Sequence, residues 1–171
     1  EYLDLAIIFY EKLLEISEEH AGNELWFPYP FSFRLHGWSA EVLYTPWYSG
    51  MAQGQILSFF LRLYEITDDI SYLNNSEKIF NTFLKVMQLG DPWMSGIDGE
   101  NYLWFEEYPD SSQPNKTLNG FMFSIFGLYD YYITTGSQES LALLQMGITT
   151  IQKYIEYFRV EGGISYYCLT H

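Results

Sequence analysis

The first residues place apolar side chains at helical intervals. Leu3, Ala6, Ile7, Phe9, Tyr10, Leu13, Leu14 and Ile16 share one wide stripe, and Glu15, Glu18 and Glu19 lie on the polar side. The spacing predicts a helix over 3–19, ended by His20-Ala21-Gly22-Asn23. From 24 to 48 the period shortens to two along Phe27, Tyr29, Phe31 and Phe33. Trp26, Trp38, Tyr44, Trp47 and Tyr48 crowd into the same stretch. Pro28, Pro30 and Pro46 exclude a continuous helix, so this is an aromatic-rich extended segment or hairpin.

Helical spacing returns from Ser49, a suitable N-cap, to Thr67. Met51, Ile56, Phe59, Phe60, Leu63 and Tyr64 are its apolar members. Almost no charge precedes Arg62, which predicts a helix buried on most sides. Residues 69–88 are more amphipathic and suit an outer position. Gly and Pro then mark 89–117 as loop-rich, with a short strand within Tyr102–Tyr108. Leu118 to Thr134 is a second apolar helix, Glu139 to Phe158 a second outer one, and Ile164 to Leu169 a short strand after Gly162-Gly163.

Leu63-Tyr64-Glu65 and Leu128-Tyr129-Asp130 occupy matching places in this order. Inner helix, outer helix and hairpin therefore recur, and such units bury their faces against neighbours. The expected fold is all-α: an incomplete α/α toroid of helical-hairpin repeats with short β-hairpins in its loops. Residues 1–171 make one domain, read as a fragment of a larger protein.

Composition narrows the function. Aromatics are 20% of the chain, with 16 Tyr and 5 Trp. Their flat apolar faces and polar edges suit either a Tyr-rich core or the C–H surfaces of sugar rings. The net charge is −14 with only 8 Lys plus Arg, which excludes a nucleic-acid partner and a polybasic membrane anchor. No apolar run is long enough to span a bilayer. The single cysteine, Cys168, excludes an internal disulfide framework. His20, His36 and His171 lack metal-ligand spacing, so neither a metal nor a cofactor is expected. Phosphate-loop and Gly-x-Ser-x-Gly patterns are missing.

Four segments carry candidate chemistry. Trp47 to Gln55 places small residues at a helix start, with Gln53 and Gln55 as neutral hydroxyl partners, although helix packing also accounts for the small residues. Trp104-Phe105-Glu106-Glu107-Tyr108-Pro109 encloses two carboxylates in aromatic residues, which raises carboxyl pKa values. On an extended chain Glu106 and Tyr108 face one way and Glu107 the other. Asn119 and Gly120 open the second apolar helix. Tyr166, Tyr167 and His171 sit near the end of the chain, where tyrosines are available as acids.

Together, Ser49–Gln55, Trp104–Pro109 and Leu118–Asp130 resemble the C-terminal domain of D-glucuronyl C5-epimerases (heparosan-glucuronate 5-epimerases and bacterial relatives). The clear resemblance covers 47–171. It implies an incomplete α/α barrel that inverts C5 of glucuronate units in a polysaccharide to give iduronate. It also implies a catalytic Glu-Tyr pair at Glu107 and Tyr108. The chain departs from the family pattern in two places: Phe158-Arg159 stands where Tyr-Asp is common, and Thr170 replaces an Arg.

Removal of the C5 proton needs a base on one ring face and a proton donor on the other. Glu107 takes one face, and Tyr108 or one of Tyr166 and Tyr167 the other. Arg34, Trp47, Gln53, Gln55, Trp104, Glu106, Asn119, Tyr166 and His171 are the expected substrate contacts. The partner is a uronate-containing polysaccharide, sparsely charged because the surface is acidic, and a homodimer is admissible. A lyase, a hydrolase pairing Glu107 with Asp98 or Asp130, and a non-catalytic glycan-binding domain remain open at this level.

Overall fold

The computed structural model describes residues 1–37, 41–90, 92–109 and 114–170. Helix α1 (Tyr2–Ile16) is followed by strands β1 (Glu18–His20) and β2 (Glu24–Trp26), which pair antiparallel around a turn with Gly22 and Asn23 at positive φ. The aromatic stretch forms a second strand pair, β3 (Phe33–Arg34) with β4 (Val42–Leu43). Helices α2 (Gly50–Thr67) and α3 (Ile70–Phe83) make one hairpin. Strands β5 (Ser95–Ile97) and β6 (Leu103–Phe105) pair antiparallel, and α4 (Leu118–Thr135) and α5 (Gln138–Tyr154) make a second hairpin.

The helix boundaries follow local chemistry. Asp69 Oδ1 accepts from the Ser71 N–H at the start of α3, and Ser137 Oγ accepts from the Ser140 N–H at the start of α5. Asp68 and Gly136 end α2 and α4 in the left-handed conformation. The inner helices start differently. Ser49 and Thr117 occupy their N-cap positions, but both hydroxyls are buried without a hydrogen-bond partner. Carbonyls from elsewhere serve instead: the Gly50 N–H donates to Glu106 O and the Leu118 N–H to Tyr167 O.

The two hairpins meet along α2 and α4, where glycines allow backbone contact. A Cβ on Gly127 would lie 2.5 Å from Gly54 O, and one on Gly54 would lie 2.5 Å from Phe123 O. Leu57, Phe60, Leu61, Leu63, Phe121 and Leu128 fill the space around this crossing.

The all-α toroid expectation is corrected. Leu25, Trp26, Leu103, Trp104 and Phe105 are buried in the same core as the helices, with β2 and β6 covered on both faces. Among the described residues three antiparallel strand pairs are therefore built into a mixed α/β fold. Among the described residues the helices form two adjacent hairpins plus α1 at one edge, and they trace no ring. The repeat stops at the helices. Ile164–Leu169, expected as a strand, is turn-like and makes only an isolated bridge between Cys168 and Thr117. Helix α4 is also less enclosed than its composition predicts, since Phe126, Tyr129 and Ile133 are exposed.

Candidate functional site

The site forms where β6 ends. Glu106 is fully buried: its backbone N–H donates to Met94 O, and its carbonyl receives the Gly50 N–H. Its carboxylate accepts the N–H groups of Asn115 (3.0 Å) and Lys116 (3.1 Å). Burial pushes this carboxyl up to about 7, opposed by those two N–H groups and the Lys116 charge. Glu106 therefore holds the 115–116 turn against the end of β6.

The chain bends at Glu107 and Tyr108, so strict strand alternation ends and both residues line one cleft. Glu107 is 3% exposed and lies against the first turn of α4. A Cβ on Gly120 would lie 2.5 Å from Glu107 Oε2. The absent side chain there makes room for the carboxylate beside the positive end of the helix dipole. Tyr167 donates its hydroxyl proton to Glu107 Oε1 at 3.0 Å, and the Tyr108 and Tyr167 hydroxyls are 3.1 Å apart. Each phenol has one proton. With Tyr167 donating to Glu107, the Tyr108 proton can go to Tyr167 or to Glu107 itself, and either way the chain of donors ends on one carboxylate.

Electrostatics keep the phenols protonated. Burial raises the Tyr108 pKa first, and hydrogen bonding to Tyr167 and the nearby Glu107 charge raise it further. Tyr167 is raised by burial and by Glu107, opposed by Tyr108 and by Asn119 at the start of α4. Burial also raises Glu107, against the hydrogen bonds of Tyr108, Tyr167 and the Gly120 N–H. A carboxylate with a raised pKa is a stronger base once ionised.

An aromatic wall flanks the carboxylate. Tyr29 stacks on Trp47 with centroids 4.1 Å apart, and Phe33 stacks on Tyr108 at 5.5 Å. The Trp47 indole N–H donates to Phe31 O at 2.8 Å. These rings, with Ser49, Met51 and Glu107, border a cleft of about 180 Å³.

The other expected site residues divide. Gln53 is fully buried and bonded to Phe27 N, Leu25 O and Thr82 Oγ1. It braces β2 against α2 and α3, so its polar atoms are committed to the fold. Trp104 is core, its indole N–H donating to Asp98 Oδ2. Gln55 is exposed on α2, apart from the cleft lining. Arg34 is exposed on β3, next to Phe33. Tyr166 lines a separate surface cleft with Lys116, Tyr154 and Tyr157. His171 lies outside the described residues. Arg62 pairs with Asp130 on the inner helix α4 at 3.2 Å.

That pairing and the state of Asp98 weigh against a two-carboxylate hydrolase. Burial works to raise the Asp98 pKa. Hydrogen bonds from Tyr102, Lys116, Tyr154 and Trp104 outweigh it and hold the group well below the usual carboxylate range. Its oxygens are engaged away from Glu107. Sequence reasoning missed Tyr29 and Phe33 as site walls, although their period-two spacing carried the signal. Among the described residues no group of three or more His, Cys, Asp or Glu side chains is arranged to hold a metal, and no helix is long and apolar enough to cross a membrane.

Residues 22–171 match the sequence profile described as D-glucuronyl C5-epimerase C-terminus. The chain belongs to this family. An uncharacterized protein of Methanocaldococcus jannaschii is 29% identical over 154 residues, covering 90% of this chain and 47% of that protein. A D-glucuronyl C5-epimerase of Caenorhabditis elegans is 28% identical over 139 residues, covering 73% of this chain and 22% of that protein. The chain thus spans less than half the length of either relative. The family match covers the Glu107–Tyr108 bend, the first turn of α4 and the Tyr167 segment, the three parts that build the donor chain.

Proposed function

We propose that this domain carries the proton-transfer site of a uronate C5-epimerase acting on glucuronate units within a polysaccharide. The supporting observation is the Tyr108–Tyr167–Glu107 chain of hydrogen bonds, at 3.1 and 3.0 Å. Glu107 is the base. It removes the C5 proton, and the C–H electron pair moves into the adjacent carboxylate to give an enediolate. Phenol donors stabilise that growing charge. Tyr167 then gives its proton to C5 from the opposite face, leaving a phenolate beside a protonated Glu107. Return of the proton from Glu107 to Tyr167 along their hydrogen bond restores both groups.

Tyr108 and Tyr167 have different duties. Tyr108 is packed against Phe33 and Trp47, whereas Tyr167 is about half exposed on the turn-like end segment. A sugar ring cannot fit between Glu107 and Tyr167 at 3.0 Å, so substrate entry must part them. Tyr167 is the partner free to move, and Tyr108 orients it.

The test is deuterium incorporation at C5 of an unsulfated glucuronate polymer in heavy water. Wild-type protein is expected to exchange deuterium without shortening the chain or creating an ultraviolet-absorbing end. Glu107→Gln and Tyr167→Phe should each lower the rate about 100-fold or more. Undiminished exchange in Glu107→Gln removes the carboxylate from the mechanism.

A further inference from the structure

Tyr167 is tied to two different parts of the fold. On one side its carbonyl accepts the Leu118 N–H at 3.1 Å, and Cys168 forms a bridge with Thr117. These backbone contacts fix the segment to the start of α4, against which Glu107 lies. On the other side Cys168 Sγ meets His36 Nε2 at 3.5 Å, a contact between residues 132 positions apart. His36 directly follows β3, and its Nδ1 lies 3.2 Å from Glu41 Oε2.

The imidazole is aimed by its surroundings. His36 holds φ 51° and ψ 13°, the left-handed region that a β-carbon disfavours. A carboxylate only accepts, so the Nδ1 facing Glu41 carries a proton, and Nε2 of the neutral ring accepts from the Cys168 thiol. The β3–β4 hairpin behind His36 is a firm frame. The Leu35 N–H donates to Glu41 O at 2.9 Å, Leu35 and Leu43 are buried with Trp47, and Phe33 stacks on Tyr108.

The Tyr167 hydroxyl stands 3.0 Å from Glu107 Oε1 and 3.1 Å from the Tyr108 hydroxyl. Ties to α4 place it against Glu107. They do not set its place relative to the hairpin on which Tyr108 packs, and the Cys168–His36 contact does. We propose that His36, acting through Cys168, is a positioning residue that holds Tyr167 in register with Tyr108 and Glu107. With the 167–168 backbone held from both sides, the phenol leaves Glu107 for an entering sugar by turning about its own side-chain bonds. It then returns to the same place. The proposal rests on the epimerase reading for what Tyr167 does, while the geometry it claims is measured without substrate.

The experiment replaces tyrosine by 3-fluorotyrosine and follows fluorine resonances, with Tyr167 identified by the signal lost in Tyr167→Phe. His36→Ala and Cys168→Ala should each shift or broaden that signal, and the double variant should do no more than either alone, as for two partners in one contact. Cys168→Ser keeps a donor for Nε2 and should leave the signal near its wild-type position. The other tyrosine signals report that the fold is kept, and the two alanine variants approach the contact from opposite sides, so either carries the test. With an unsulfated glucuronate polymer, kcat for C5 exchange should fall about tenfold or more in both alanine variants while KM changes less than about twofold, the mark of a misplaced reacting group on an intact binding surface. An unmoved Tyr167 signal in the alanine variants, additive changes in the double variant, or a raised KM at unchanged kcat overturns the positioning role. A wild-type protein that exchanges no deuterium, with the Tyr167 signal moving as expected, removes the epimerase reading and leaves the positioning contact standing.

Discussion

Glu106→Gln isolates what a buried carboxylate costs the fold. The wild-type carboxyl is pushed up to about 7 from an ordinary 4.5, mainly by burial. In the unfolded chain the group titrates near the ordinary value. Between the two, the folded protein binds more protons than the unfolded chain, so stability falls as pH rises. The contribution of neutral Glu106 is fully present below about 4.5. It is lost as pH rises through about 7 and changes little above that. The separation corresponds to about 3 kcal/mol. A glutamine keeps one oxygen for the Asn115 and Lys116 N–H groups and does not titrate. Urea unfolding from pH 5 to 8.5 should show wild-type stability dropping relative to Glu106→Gln by about 2–3 kcal/mol. Comparison with the variant removes the contributions of other titrating groups. Parallel curves for the two proteins across that range would refute the reasoning, because they would mean that Glu106 titrates alike folded and unfolded.

Two further outcomes follow from the glycines. Gly120→Ala places a Cβ against the Glu107 carboxylate, so C5 deuterium exchange should fall at least about tenfold while stability falls by about 1–3 kcal/mol, measured by denaturant unfolding. Gly127→Ala puts a Cβ 2.5 Å from Gly54 O. It should cost at least about 2 kcal/mol on the same assay, because rigid backbone rather than a flexible side chain must yield.

The helices were legible because burial of one stripe writes a 3.6-residue period into the chain. Ser49, Asp68 and Gly136 mark their ends at or near the expected places. What was illegible is where short apolar strands go. Leu103-Trp104-Phe105 looks like loop decoration in a linear chain, and only tertiary packing shows that both of its faces are covered. The opposite facing of the two glutamates was readable, but not that Glu106, expected as a substrate contact, is fully buried with its carboxylate on the Asn115 and Lys116 N–H groups. The chain does not announce the bend that brings Tyr108 to the Glu107 side, because a strand's end is set by its neighbours. Gln53 was misread for a related reason: a neutral amide looks the same in sequence whether it meets a sugar hydroxyl or, as here, Leu25, Phe27 and Thr82.

The two adjacent glutamates show how position divides one chemistry into two roles. Glu106 has its backbone carbonyl on the first N–H of α2, and its carboxylate holds the turn that leads into α4. Glu107, one residue on, lies at Gly120 in the first turn of α4. This dipeptide joins the N-termini of both inner helices, so its geometry depends on how closely those helices approach. Gly50 tightens the same joint, since a Cβ there would lie 2.7 Å from Glu106 O. The small residues of α2 and α4 therefore do more than permit helix packing. Spreading the helices by one methyl group at Gly54 or Gly127 shifts the frame on which Glu107 meets Tyr167, although neither glycine touches either residue. The proposed return of a proton from Glu107 to Tyr167 crosses this 3.0 Å contact and is sensitive to displacements well under 1 Å. The loss of exchange in Gly127→Ala should then exceed what its fraction of unfolded protein accounts for.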